Sequence, residues 1–211
     1  MRKLLTTLLQ VRLAVAVIAA LGIAFLIVGV LIGMPPFAYI VIGLLIAAPT
    51  LFYIYKPRES ALTNAKALTV FFGATVATLL IIQLIPFGKD HSNPPVNGEP
   101  AWSSPRTREL MVNACFGCHS NSVEYPAYAS VAPISWTVQS HINEGREKVN
   151  YQEWNSRQRN ADETIEVIKE GSMPPSYYTV FGKHPEAKLT DAEISELIAG
   201  LLATPGFSEG D

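Results

Sequence analysis

Two cysteines and a histidine fall within five residues, Cys115-Phe116-Gly117-Cys118-His119. Cysteines three positions apart lie about one helical turn apart, so both thiols present on one face. They are placed to add across the two vinyl groups of a single porphyrin. The adjacent histidine then falls under the iron as an axial ligand, which is the attachment pattern of c-type haem. Three plainer chemistries compete. A redox-active dithiol needs a βαβ setting that the sequence lacks. A structural zinc site needs four ligands, and the chain has two cysteines, both in this run. A disulfide across two residues would close almost no loop. The residues therefore predict one haem c, covalently attached at Cys115 and Cys118, with His119 on the iron.

A second axial ligand must come from elsewhere in the chain. Met173 is the candidate: it follows Gly171-Ser172 after a predicted helix end, and Pro174-Pro175 stiffen what comes next. A thioether is a soft, weak ligand that favours ferrous iron, so a stiff loop suits it. His141 and His184 are the alternatives, and either would lower the reduction potential. Met34 and Met111 are poorly positioned for the role. Pro133 offers a carbonyl that can accept from the His119 ring N–H, or is a plain first residue of a helix. Trp136 and Trp154 are candidates to wall the haem, against ordinary core packing. Arg146 is a candidate partner for a haem propionate, against a solvated arginine at a helix end.

The elements that must position these residues divide in two. Six basic residues and one acid precede Gly88; the remainder carries ten basic and seventeen acidic residues. The mean hydropathy of +0.23 arises from the first 87 residues. Leu13 to Gly33, Phe37 to Tyr55 and Ala67 to Phe87 lack charged residues and are long enough to cross a bilayer. Residues 1–87 thus read as a three-helix transmembrane anchor, 88–103 as a Pro- and Gly-rich linker, and 104–211 as a haem domain. Arg2, Lys3 and Arg12 flank the first span, and Lys56, Arg58 and Lys66 lie between the second and third. The positive-inside rule then sets the N-terminus in the cytoplasm and the haem domain outside it. All four histidines lie beyond residue 87, so the spans hold no bis-histidine haem. Their expected work is anchoring and docking onto other subunits. Gln83 reads as an interhelix hydrogen bonder or as a polar residue near the interface.

In the soluble part, Ser104-Pro105 reads as a helix start that delivers the two cysteines at its end. A second helix opens near Pro133 and runs to about Glu144. Asn160-Ala161-Asp162-Glu163 and Thr190-Asp191-Ala192-Glu193 have capping-box spacing. No strand pattern is present. The predicted fold is all-α: three transmembrane helices followed by a small, cytochrome-c-like helical domain.

Several segments in order carry a family resemblance: Asn93-Pro94-Pro95-Val96, Cys115 to Asn121, Ala132-Pro133-Ile134-Ser135-Trp136, Glu144-Gly145-Arg146, Asn150 to Trp154, Met173-Pro174-Pro175 and His184 to Leu189. Over about Gln83 to Ala203 they resemble the bacterial haem-binding domain family of membrane-tethered monohaem c-type proteins. The resemblance implies haem at Cys115, Cys118 and His119, and Met173 as distal ligand. That family is commonly tethered by one helix, and two further spans here depart from the pattern.

Three functions are carried forward. The first is electron transfer on the extracytoplasmic side of a bacterial inner membrane, as a subunit of a respiratory or photosynthetic complex. The second is a haem sensor or peroxidase-like protein with a labile sixth ligand. The third is an accessory subunit whose membrane part is its main business. Expected partners are membrane lipid, other membrane subunits and a redox protein. The acidic soluble part excludes nucleic acid. No nucleophile–base pair, phosphate loop or carboxylate pair calls for an enzyme.

Overall fold

The computed structural model describes residues 11–56, 63–158, 160–179 and 182–207. Arg2, Lys3 and Arg58, three of the basic residues behind the expected orientation, lie outside them. Among the described residues all regular structure is helical. The chain forms two compact units.

The first unit comprises residues 1–89 and 128–137. Its helices are α1 (Arg12–Leu31), α2 (Pro36–Tyr55) and α3 (Asn64–Ile81), the last extended by a 3-10 turn at Ile82–Leu84. All three are long and apolar enough to cross a membrane. Their sides expose Leu, Ile, Val and Phe rather than bury them, which suits hydrocarbon as solvent. Pro49 sits inside α2; the Thr50 hydroxyl donates to the Ile46 carbonyl at 2.7 Å. At one end, the Asn64 side chain accepts from the Ala14 N–H at 2.9 Å, satisfying a first-turn donor of α1.

Gln83, read as an interhelix hydrogen bonder or as a polar residue near the interface, bonds to backbone: Nε2 donates to the Ala132 carbonyl at 2.8 Å and to the Leu79 carbonyl at 3.0 Å, and Oε1 accepts from the Ala132 N–H at 3.0 Å. Trp136 is fully buried and packs against Phe37, ring centroids 5.5 Å apart. A short segment from the middle of the chain thus completes the membrane-helix unit.

The second unit comprises residues 90–127 and 138–211. Its helices are α4 (Pro105–Ala114), α5 (Phe116–His119), α6 (Ile134–Lys148, whose first turn belongs to the first unit), α7 (Glu163–Lys169), α8 (Ser176–Thr179) and α9 (Asp191–Leu202). Ser104 caps α4 by accepting from the Thr107 N–H at 3.0 Å. Thr190 and Glu193 form the expected capping box on α9. Asn160 does not cap α7, which starts after Asp162 with no side-chain cap. Leu110, Met111, Phe116, Tyr151, Ile165, Leu197, Leu201 and Phe207 make one core.

Part of the segment read as a Pro- and Gly-rich linker hydrogen-bonds within this unit. The Asn97 N–H donates to the Gln152 carbonyl at 2.7 Å, and the Trp154 N–H to the Gly98 carbonyl at 3.2 Å. Glu99 receives Arg108 in a two-point ion pair, at 2.7 and 2.9 Å. Pro- and Gly-rich backbone can be ordered by exact partners as well as left loose, and here Gln152 and Glu99 supply them.

Candidate functional site

Helix α4 ends at Ala114, and the chain turns at Cys115 into the single turn of α5. That turn holds Cys118 and His119. Helix α6 runs past them, closer than a side chain permits: a Cβ on Gly145 would lie 2.8 Å from the Cys118 carbonyl oxygen. The helix continues to Lys148, four residues beyond the expected end. Its face at 141, 144, 145 and 148 follows the i, i+3, i+4, i+7 rule, and all four residues line a cavity.

The cavity measures about 390 Å³ and is lined by residues of the second unit. Cys115, Cys118, His119 and Met173 all line it, together with Val149, Tyr151, Val167, Ile168 and Pro174. His141 lines it too, its ring stacked on Tyr177 at 4.7 Å. His184 does not; it stacks on Tyr178 and pairs with Glu186 at 3.3 Å.

His119 is oriented by the backbone. Its Nδ1 lies 3.0 Å from the Val149 carbonyl. A carbonyl only accepts, so Nδ1 carries the proton and Nε2 keeps its lone pair for a metal. Burial lowers the imidazole pKa, holding the ring neutral. The His119 carbonyl in turn accepts from the Tyr151 N–H at 2.9 Å. The expected acceptor, Pro133, is elsewhere: its carbonyl accepts from the Thr137 N–H and hydroxyl within the membrane-helix unit. A backbone acceptor carries no side-chain signature, so Val149 was not findable by residue type.

Three further candidates lie off the cavity. Trp136 does not line the cavity; it is buried against Phe37 in the first unit. Trp154 stacks on Phe207 in the second core, centroids 5.1 Å apart. Arg146 is one residue round the helix from the cavity face. Its Nε donates to the Ser120 carbonyl at 2.8 Å and its second guanidinium nitrogen to Asn93 at 2.9 Å. Among charged and amide side chains, Glu144, Lys148, Asn160 and Glu163 line the cavity. Lys148 is the cation available there, and helical periodicity from His141 would have found it had the helix been extended.

The loop after His119 is fixed by a buried polar network. The Asn121 side chain donates to the Pro95 carbonyl and to Glu153 and accepts from Asn150, and its backbone N–H donates to the Gln152 side-chain oxygen at 3.0 Å. Such a network is stable only when fully partnered, and it explains why Ser120-Asn121 and Asn150 to Glu153 occur together.

Burial pushes the Cys115 thiol up to about 12 and the Cys118 thiol up to about 11, the opposite direction from the depressed pKa through which a redox dithiol works. Among the described residues no group of three or more His, Cys, Asp or Glu is arranged to hold a metal ion.

A family model described as haem-binding domain matches residues 77–203. The chain belongs to the haem-binding domain family. No match was found among curated proteins or among solved structures. The match starts at Ala77, inside α3, so it takes in Gln83 as well as its partner Ala132, while α1 and α2 lie outside it. The residues present fit a haem: an apolar cavity, two un-ionised thiols, one neutral histidine with a free Nε2, and a thioether share it.

Proposed function

We propose that this haem-binding domain protein is a membrane-bound monohaem c-type cytochrome. It transfers electrons on the extracytoplasmic side of a bacterial inner membrane, as a subunit of a respiratory or photosynthetic complex. The observation that carries this reading is the convergence of Cys115, Cys118, His119 and Met173 on one cavity. In it, Cys115 and Cys118 would hold the haem covalently through their thiols, His119 would hold the iron through Nε2, steadied by the Val149 carbonyl, and Met173 would be the second protein ligand. The bound haem contributes a one-electron couple whose potential the axial ligands set. Lys148 and Asn160, which line the cavity, would be the donors available to the propionates. The three apolar helices hold the haem unit at the membrane, and the basic residues flanking them favour a cytoplasmic N-terminus.

A spectroscopic redox titration of the wild type and of Met173→Ala tests this. The expected wild-type spectrum is that of a thioether-linked haem with histidine and methionine ligands. The variant should lose on the order of 0.1 V, out of the roughly 0.8 V that axial ligands span. An unchanged potential would remove Met173 from the iron.

One observation favours a second reading. Met173 is 39% exposed, so solvent reaches the segment that holds the sulfur. A sixth ligand that leaves would give a haem sensor or a peroxidase-like protein. Rapid carbon monoxide binding to the reduced wild type supports that reading; slow binding supports electron transfer.

A further inference from the structure

The segment carrying Met173 is held on both sides. Upstream, the Val167 carbonyl at the end of α7 accepts from the Ser172 N–H at 3.1 Å, the Met173 N–H at 3.2 Å and the Ser172 hydroxyl at 3.1 Å. Downstream, α8 presents Tyr177 and Tyr178, both lining the same cavity as Met173. The Tyr177 ring stacks on His141 of α6, centroids 4.7 Å apart and planes 26° from parallel. The Tyr178 ring stacks on His184 at 4.1 Å and 3°. Its hydroxyl occupies the space that a Cβ on Gly117 would need. Gly117 is the residue between the two cysteines, so Tyr178 seats the methionine segment against the attachment turn itself.

A thioether is a weak ligand and stays on iron only if its segment has nowhere else to go. We propose that Tyr177 and Tyr178 are the positioning residues that keep the Met173 sulfur on the haem iron. The Tyr177–His141 stack and the Tyr178 hydroxyl in the Gly117 notch then decide whether the sixth position opens to outside ligands. This rests on Met173 being that ligand. Neither tyrosine needs to touch the iron; each acts through the methionine. Aromatics that merely fill a core would alter stability and leave ligand exchange alone.

The test uses the full-length haem-loaded protein in mild detergent, with Tyr177→Ala, Tyr177→Phe, Gly117→Ala and Met173→Ala. The readouts are carbon monoxide association with the reduced form and the methionine–iron charge-transfer absorption of the oxidised form. Tyr177→Ala and Gly117→Ala should each speed association by about threefold to tenfold, the rate equivalent of one lost aromatic pair, and weaken the absorption. Tyr177→Phe, which keeps the stack, should restore slow binding. If Tyr177→Ala does not mature, His141→Ala removes the same stack from the other side and is read the same way. Wild-type binding rates in Tyr177→Ala and Gly117→Ala, alongside fast binding in Met173→Ala, would overturn the proposal and leave the methionine ligand standing. A Met173→Ala protein with wild-type absorption and slow binding would overturn both.

Discussion

Gly145 shows how little room the attachment turn leaves. Its missing side chain lets α6 lie directly on the Cys118 backbone, and the contact is with a carbonyl that cannot rotate away. Gly145→Ala must push helix and turn apart. The expected cost is about 1–3 kcal/mol, as for other overpacked sites. Denaturant unfolding of the haem-loaded protein would show it as a lower midpoint with an unchanged slope; an unmoved midpoint would mean the two segments are not in contact. Met173 sits at the same scale but does different work. Its replacement should move the potential and leave the fold intact, since the side chain is half outside the core. Type and spacing were enough to single out Cys115, Cys118 and His119, and the structure lines one cavity with all three. Val149 could not be singled out that way, because any residue can offer its carbonyl.

The elements around the site are tied by charge as well as by packing. Glu99 links the segment before α4 to Arg108 on α4, to Gln152 at 2.9 Å and to the Trp102 indole N–H at 3.0 Å. The Arg108 hydrogen bond is the largest cause holding its carboxyl down at about 2, from an ordinary 4.5. A depressed folded pKa means the carboxylate stabilises the fold above the unfolded value, and that stabilisation is lost as pH falls from about 4.5 toward about 2. The expected loss is about 1–2 kcal/mol, below the full linkage value because the carboxyl is partly solvated. Thermal melts at descending pH should show this slope in the wild type and a shallower one in Glu99→Gln. Equal slopes would place the acid sensitivity elsewhere. Of the element ends, the Ser104 and Thr190 caps could be read directly, because capping residues act on their own next turn. Asn160 could not. Its spacing was right, but the chain there lines the cavity and the helix starts two residues later.

The whole molecule divides where neither composition nor hydropathy would cut it. Residues 128–137 come from the polar half of the chain, yet they join the membrane-helix unit through Gln83 and Phe37. A fragment from Asp90 onward would therefore carry Trp136 and Ala132 without their partners, leaving buried apolar surface bare. Such a fragment, with haem attached, should self-associate without detergent, and Trp136→Ser should reduce that association. Sedimentation decides it: a monodisperse wild-type fragment at high concentration would show that the segment needs no membrane helices to cover it.

Sequence alone was enough for whatever is a local rule. Three apolar runs long enough to cross a membrane and the caps at Ser104 and Thr190 each depend on near neighbours, and each stands in the structure as read. Long-range packing decided the rest. It gave His119 its acceptor in Val149, turned Arg146 onto Ser120 and Asn93, and drew Trp136 away from the cavity. It also brought Lys148, Tyr177 and Tyr178 to the cavity's wall. These outcomes depend on how far a helix continues and which of its faces meets a distant segment, and no periodicity within one stretch of chain encodes the identity of that segment.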